Sequence, residues 1–139
     1  MKKRKRVLFV CIENSCRSQM AEAYASLYAQ DLILAYSAGS RPSGRINPKA
    51  VTAMAELGYA LDKHSSKSLL EIPSIEYDYV ITMGCGDECP LIAGKVHEDW
   101  DIPDPKQMPL DQFRQVRDQI SARVQDLAAR IEAGNHAKK

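Results

Sequence analysis

Apolar positions along this chain switch between two spacings, and the switching predicts strands separated by helices. Arg6 to Val10 (RVLFV) is a short apolar run, the pattern of a strand buried in a parallel sheet. A polar stretch, Cys11 to Arg17, follows it. Ser18 then opens a run in which Met20, Ala23, Tyr24, Leu27 and Tyr28 recur at helical spacing, and Ser18 with Glu22 nearby reads as its N-terminal signal. Leu32 to Ser37 (LILAYS) predicts a second strand, closed by the turn-rich AGSRPSGRINP. Pro48 suits the first turn of a helix carrying Val51, Met54, Ala55 and Leu57, with Gly58 as its C-terminal cap. A short helix is expected over Lys67 to Ile72, a third strand over Tyr77 to Thr82, and a fourth extended stretch from Val96. Leu110, Phe113, Val116, Ile120, Val124, Leu127 and Ile131 form one stripe, spaced by threes and fours, that predicts a long final helix.

Strands alternating with helices imply an α/β fold: a single-domain, three-layer sandwich over residues 1–139, with a four-stranded parallel sheet flanked by helices. The tail after Gly134 is expected to fray. The formal net charge of +1 removes any global attraction to nucleic acid or membrane. The basic run Lys2 to Arg6 has no long apolar segment behind it, so it reads as a solvated lead-in to the first strand, not a targeting region. No stretch approaches the roughly 20 apolar residues of a membrane span. A cytoplasmic, reducing setting is therefore expected, where Cys11, Cys16, Cys85 and Cys89 are better read as chemical than as structural disulfides.

The chemistry concentrates in Cys11-Ile12-Glu13-Asn14-Ser15-Cys16-Arg17-Ser18. In an open α/β fold ligands bind at the C-terminal ends of strands, where this loop falls. Its successive backbone N–H groups, from Ile12 through Arg17, can curl into an anion nest, and the helix behind adds a positive dipole end. Arg17 offers a planar two-pronged donor for two oxygens of a tetrahedral ligand. The same field favours the thiolate of Cys11, since a free thiol with a pKa of about 8.5 is shifted down at helix N-termini beside cations. Ser18 is placed to donate a hydrogen bond to that sulfur. The competing reading, a buried cysteine beside a capping arginine, accounts for C-x5-R alone but not for a strand directly before it and a helix directly after.

The segment VLFVCIENSCRSQMAEA resembles the phosphate loop of the low-molecular-weight tyrosine phosphatase fold, and N-S-C-R-S-Q-M-A-E is most similar to the arsenate reductases built on that fold. YSAG at Tyr36 to Gly39, INPKAVTAM at Ile46 to Met54, HSSK at His64 to Lys67, VITMGCGDECP at Val80 to Pro90, EDWDIPDP at Glu98 to Pro105 and FRQVRDQI at Phe113 to Ile120 extend the resemblance along almost the whole chain. It implies that Asp104 is a general acid. It also implies a thiol relay: Cys11 forms a covalent adduct with arsenate, Cys85 attacks Cys11 and expels arsenite, and Cys89 resolves the Cys11–Cys85 disulfide. No cofactor is then bound; an external thiol reductant, thioredoxin or glutathione with glutaredoxin, completes the cycle of a monomeric enzyme, with phosphate or sulfate as competing oxyanions.

Three departures from the family's pattern stand out. Lys106 follows Asp104-Pro105, where the phosphatases generally carry an aromatic residue. The three-residue gap between Cys85 and Cys89 is shorter than in well-known thioredoxin-linked members, and glutaredoxin-linked members also have closely spaced cysteines. Some members further hold a potassium ion, with ligands matching Asn14, Glu22 and Ser37; the remaining acidic ligand corresponds to Lys67, whose ammonium could stand in the ion's place. A four-thiolate zinc site is disfavoured by the spacings and by Cys11 lying in the anion loop, and Cys16 is expected to be a packing residue. His64, His97 and His136 form no ligand set by spacing. The alternatives are a phosphatase acting on phosphoesters and a non-catalytic oxyanion sensor.

Overall fold

The computed structural model describes residues 4–84 and 92–134. Its core is a sheet of four parallel strands in the order β2-β1-β3-β4, with β1 at Lys5–Cys11, β2 at Ile33–Gly39, β3 at Tyr77–Thr82 and β4 at Gly94–Asp99. Among the described residues three α-helices accompany it: α1 (Arg17–Tyr28), α2 (Pro48–Ala55) and α3 (Leu110–Glu132).

The central strand explains the continuous apolar run. Val7, Leu8, Phe9 and Val10 are all fully buried because β1 has a neighbour on each side and both its faces are covered. Val7, Phe9 and Cys11 face a large core with residues of α1, α2 and α3, whereas Leu8 and Val10 join a smaller core with Ala38, Tyr77 and Val80. The edge strand β4 alternates half-buried and exposed residues, as a strand with one face toward solvent should. On α3 the expected stripe is the buried face: Phe113, Val116, Ile120, Val124, Leu127 and Ile131 all enter the core, and Leu110 is half-buried.

Several local expectations need correction. Lys67 to Ile72 is not helical; Leu69, Ile72 and Ile75 instead pack as irregular chain against the smaller core, and the short helix there is a 3₁₀ turn at Leu61–Lys63. The second helix ends at Ala55, leaving Leu57 exposed, and Gly58, at φ +82°, closes the turn beyond it. Leu27 and Tyr28 lie at the exposed end of α1, so its buried face is Met20, Ala21, Ala23, Tyr24 and Ala25. Ser18 is not its cap either. The helix opens at Arg17 with Cys16 in the cap position and no side-chain cap.

Candidate active site

The loop between β1 and α1 closes on itself at the C-terminal edge of the sheet. Cys11 ends β1 and is 3% exposed; Arg17 and Ser18, the first two residues of α1, are buried beside it. Because no side chain caps α1 and no acid occupies its first turn, the first backbone N–H groups keep their donor capacity and the positive dipole end is not neutralised. A polar cavity of about 140 Å³ opens here, lined by Cys11, Ile12, Glu13, Ser15, Cys16, Arg17, Arg41, Asp104 and Lys106. That is well below the roughly 300–1,000 Å³ of sites for larger organic ligands and suits a small oxyanion.

A hydrogen-bond chain running beneath the loop aligns the donor to Cys11. Asn14 is fully buried in the left-handed conformation, at φ 50°, and its side chain turns away from the cavity. Its Oδ1 accepts from Gln19 Nε2 and from Lys67 N, each at 2.8 Å, which fixes its Nδ2 as the donor to Ser18 Oγ at 2.7 Å. With Ser18 Oγ accepting that bond, its own proton is left for Cys11 Sγ at 2.9 Å, and such a donor stabilises the anionic sulfur. The chain extends outward. Gln19 Oε1 pairs with His64 Nδ1 at 2.9 Å, and Tyr59 Oη with His64 Nε2 at 2.6 Å. If each link donates toward the sulfur, His64 is neutral with its proton on Nδ1. Burial agrees, holding the imidazole below its ordinary pKa of 6.5. The role of Gln19, His64 and Tyr59 was invisible in the linear pattern, because the Tyr59–His64 segment meets Gln19 only in the fold.

Arg17 is locked from behind. Its Nη1 donates to Met83 O at 2.6 Å and Ile102 O at 3.1 Å, while Nη2 lies 3.8 Å from Asp104 Oδ2. Gly84, at φ +70°, leaves room for this: a β-carbon there would come within 2.7 Å of Arg17 Nη1. Gly39 does the same for the loop, since its β-carbon would stand 2.6 Å from Ile12 O and 2.8 Å from Asn14 N. Asp104, half-exposed at the cavity, is thereby brought from the loop before α3 to the same site as Cys11. Cys16 also lines the cavity, but burial, helped by the nearby Asp104 and Cys11, pushes its thiol up to about 12. Cys85 and Cys89 lie outside the described residues, as does His136. His97 is exposed on β4, bonded to Ile92 O at 2.7 Å, and does not line the cavity.

The residues matching the potassium ligands sit together under the loop. Ser37 Oγ donates to Glu22, Lys67 Nζ lies 4.0 Å from Glu22 Oε1, and the same ammonium donates to Ser65 O at 2.9 Å. A positive charge belonging to the chain already faces Glu22, so this set does not suit a bound potassium ion.

A family model described as low molecular weight phosphotyrosine protein phosphatase matches residues 6–137. A glutaredoxin arsenate reductase from Synechocystis sp. is 38% identical over 130 residues, which cover 91% of this chain and 98% of the relative. Arsenate reductase 1 from Staphylococcus epidermidis is 37% identical over 132 residues, covering 92% and 98%. Among solved structures, an arsenate reductase in the phosphate binding state superposes with a TM-score of 0.83 at 38% identity, covering 91% of this chain and 98% of that one. A thioredoxin-dependent arsenate reductase from Corynebacterium glutamicum gives 0.76 at 33% identity, covering 96% of this chain and 64% of that one.

Proposed function

The chain belongs to the low molecular weight phosphotyrosine protein phosphatase family, and we propose that within it the protein is an arsenate reductase. The observation that carries attack by Cys11 on a small oxyanion is the site itself: a buried sulfur that receives an oriented hydroxyl proton, at a small cavity flanked by a fixed guanidinium and a carboxyl group. The similarity to arsenate reductases over nearly the full chain supports the reductase reading.

In the proposed cycle, arsenate binds to the loop N–H groups and to Arg17. The Cys11 thiolate attacks arsenic, and Asp104 protonates the departing oxygen, leaving a thiol–arsenate adduct. Cys85 then attacks the Cys11 sulfur. The S–As bond breaks, its electron pair leaves on arsenic as arsenite, and a Cys11–Cys85 disulfide remains. Cys89 attacks Cys85, which frees Cys11 and forms Cys85–Cys89. A thioredoxin-type dithiol reduces that bond by thiol–disulfide exchange. A glutathione and glutaredoxin couple is the second reading of the last step, favoured by the short Cys85–Cys89 gap and the glutaredoxin arsenate reductase among the relatives. The protein binds no cofactor in this scheme and works in a reducing compartment; among the described residues no helix is long and apolar enough to cross a membrane.

Arsenate-dependent NADPH consumption, coupled in parallel to thioredoxin with its reductase and to glutathione with glutaredoxin, tests the proposal and selects the reductant. Turnover with neither couple, alongside ready phosphoester hydrolysis, would replace reductase with phosphatase.

A further inference from the structure

An ion pair joins two partly exposed residues that line the cavity holding Cys11. Glu13 of the anion loop and Lys106, two residues beyond Asp104, both line that cavity, and Lys106 Nζ donates to Glu13 Oε2 at 2.7 Å. Both partners stand on anchored main chain. Glu13 O accepts from Ser43 N at 3.1 Å and from Ser66 Oγ at 2.9 Å. On the opposite side Lys106 N donates to Asp104 Oδ1 at 3.1 Å, Met108 N to Pro105 O at 2.9 Å, and Lys49 Nζ to Met108 O at 2.6 Å.

With side chains 46% and 34% exposed, the pair adds little to stability. Its position matters more. A carboxylate lining an anion pocket repels an incoming anion, and the Lys106 ammonium paired with it cancels that charge.

We infer that the Glu13–Lys106 pair is a specificity-determining bar, which admits inorganic tetrahedral oxyanions to Cys11 and turns away aryl phosphoesters, whose ring must project through the mouth. The inference rests on the reading of Cys11 as nucleophile at an anion pocket. With the bar gone, an aryl phosphate reaches the sulfur. The S–P bond forms as the P–O(aryl) bond breaks, Asp104 protonates the departing aryl oxygen, and water then cleaves S–P to release inorganic phosphate and the thiolate. No electrons are exchanged, so the relay cysteines are not needed.

The test measures protection of Cys11 from iodoacetamide, read by peptide mass mapping, against rising inorganic phosphate or phenylphosphonate. Lys106→Met and Glu13→Gln shift the local charge in opposite directions, so electrostatics alone moves both ligands together and leaves their ratio unchanged. The bar predicts instead that both substitutions lower the phenylphosphonate-to-phosphate ratio of protection midpoints by about threefold to fivefold. The charge-swapped double variant Glu13→Lys/Lys106→Glu should restore it. A ratio that stays constant, moves oppositely in the two variants, or is not restored by the swap overturns the inference while leaving Cys11 as nucleophile intact. Failure of phosphate to protect Cys11 in the unaltered protein overturns the underlying reading as well.

Discussion

Replacing Asn14 with alanine tests whether the chain beneath the loop does what its geometry implies. The substitution removes the two bonds accepted by Oδ1 and the one donated to Ser18. Gln19 Nε2 keeps two other acceptors, Asn14 O and Ser65 O, so its loss is small. Lys67 N keeps none of its described partners, which costs about 1–3 kcal/mol. Alanine must also adopt φ 50°, at about 1–2 kcal/mol. The total, with the Ser18 bond, is about 3–5 kcal/mol, a large part of the roughly 5–15 kcal/mol that holds a domain folded. Asn14→Gly loses the same hydrogen bonds without the strain and should be milder by about 1 kcal/mol. Urea unfolding followed through Trp100, the single tryptophan, buried against Phe9, measures both. Released from Asn14, the Ser18 hydroxyl also loses its fixed direction, so alkylation of Cys11 at neutral pH should slow several-fold in either variant. An alanine variant within about 1 kcal/mol of the unaltered protein, or one no worse than glycine, would refute the reasoning.

Further outcomes follow from other parts of the molecule. Cys85→Ser and Cys89→Ser should each abolish arsenate turnover in the coupled assay while sparing any phosphoester hydrolysis. Iodoacetamide at pH 8 should label Cys11 in the folded protein and leave Cys16 unlabelled, because burial keeps that thiol protonated up to about 12; peptide mapping reads both. His64 is held below its ordinary 6.5 by burial, against the attraction of Glu22 and with help from Lys67 and Lys63. As pH falls below that value the unfolded chain therefore takes up the proton first; the contribution is complete above it and is lost on acidification. His64→Gln should flatten the stability–pH curve just below 6.5, which thermal unfolding across a pH series would show. Added potassium should raise neither melting temperature nor turnover beyond matched sodium, since Lys67 already faces Glu22; a specific potassium effect would show that the ammonium does not fill that role.

What the linear chain determined on its own is the part set by periodicity and local chemistry. The apolar run of β1, the long stripe of α3 and the polar loop between β1 and α1 each specify themselves, because burial period and turn composition are properties of neighbouring residues. Cys11, Arg17 and Ser18 belonged to that legible part, lying within eight residues of one another. The course of Lys67 to Ile72 did not, since a short apolar run fits a helix or an irregular cover equally well until the sheet face beneath it is known. Only the tertiary structure brings Gly84 and the Met83 and Ile102 carbonyls behind Arg17, joins Tyr59 and His64 to the chain that ends at Cys11, and sets Lys106 against Glu13. These contacts join residues far apart in sequence, and their energies depend on distance and burial, which residue order does not encode locally.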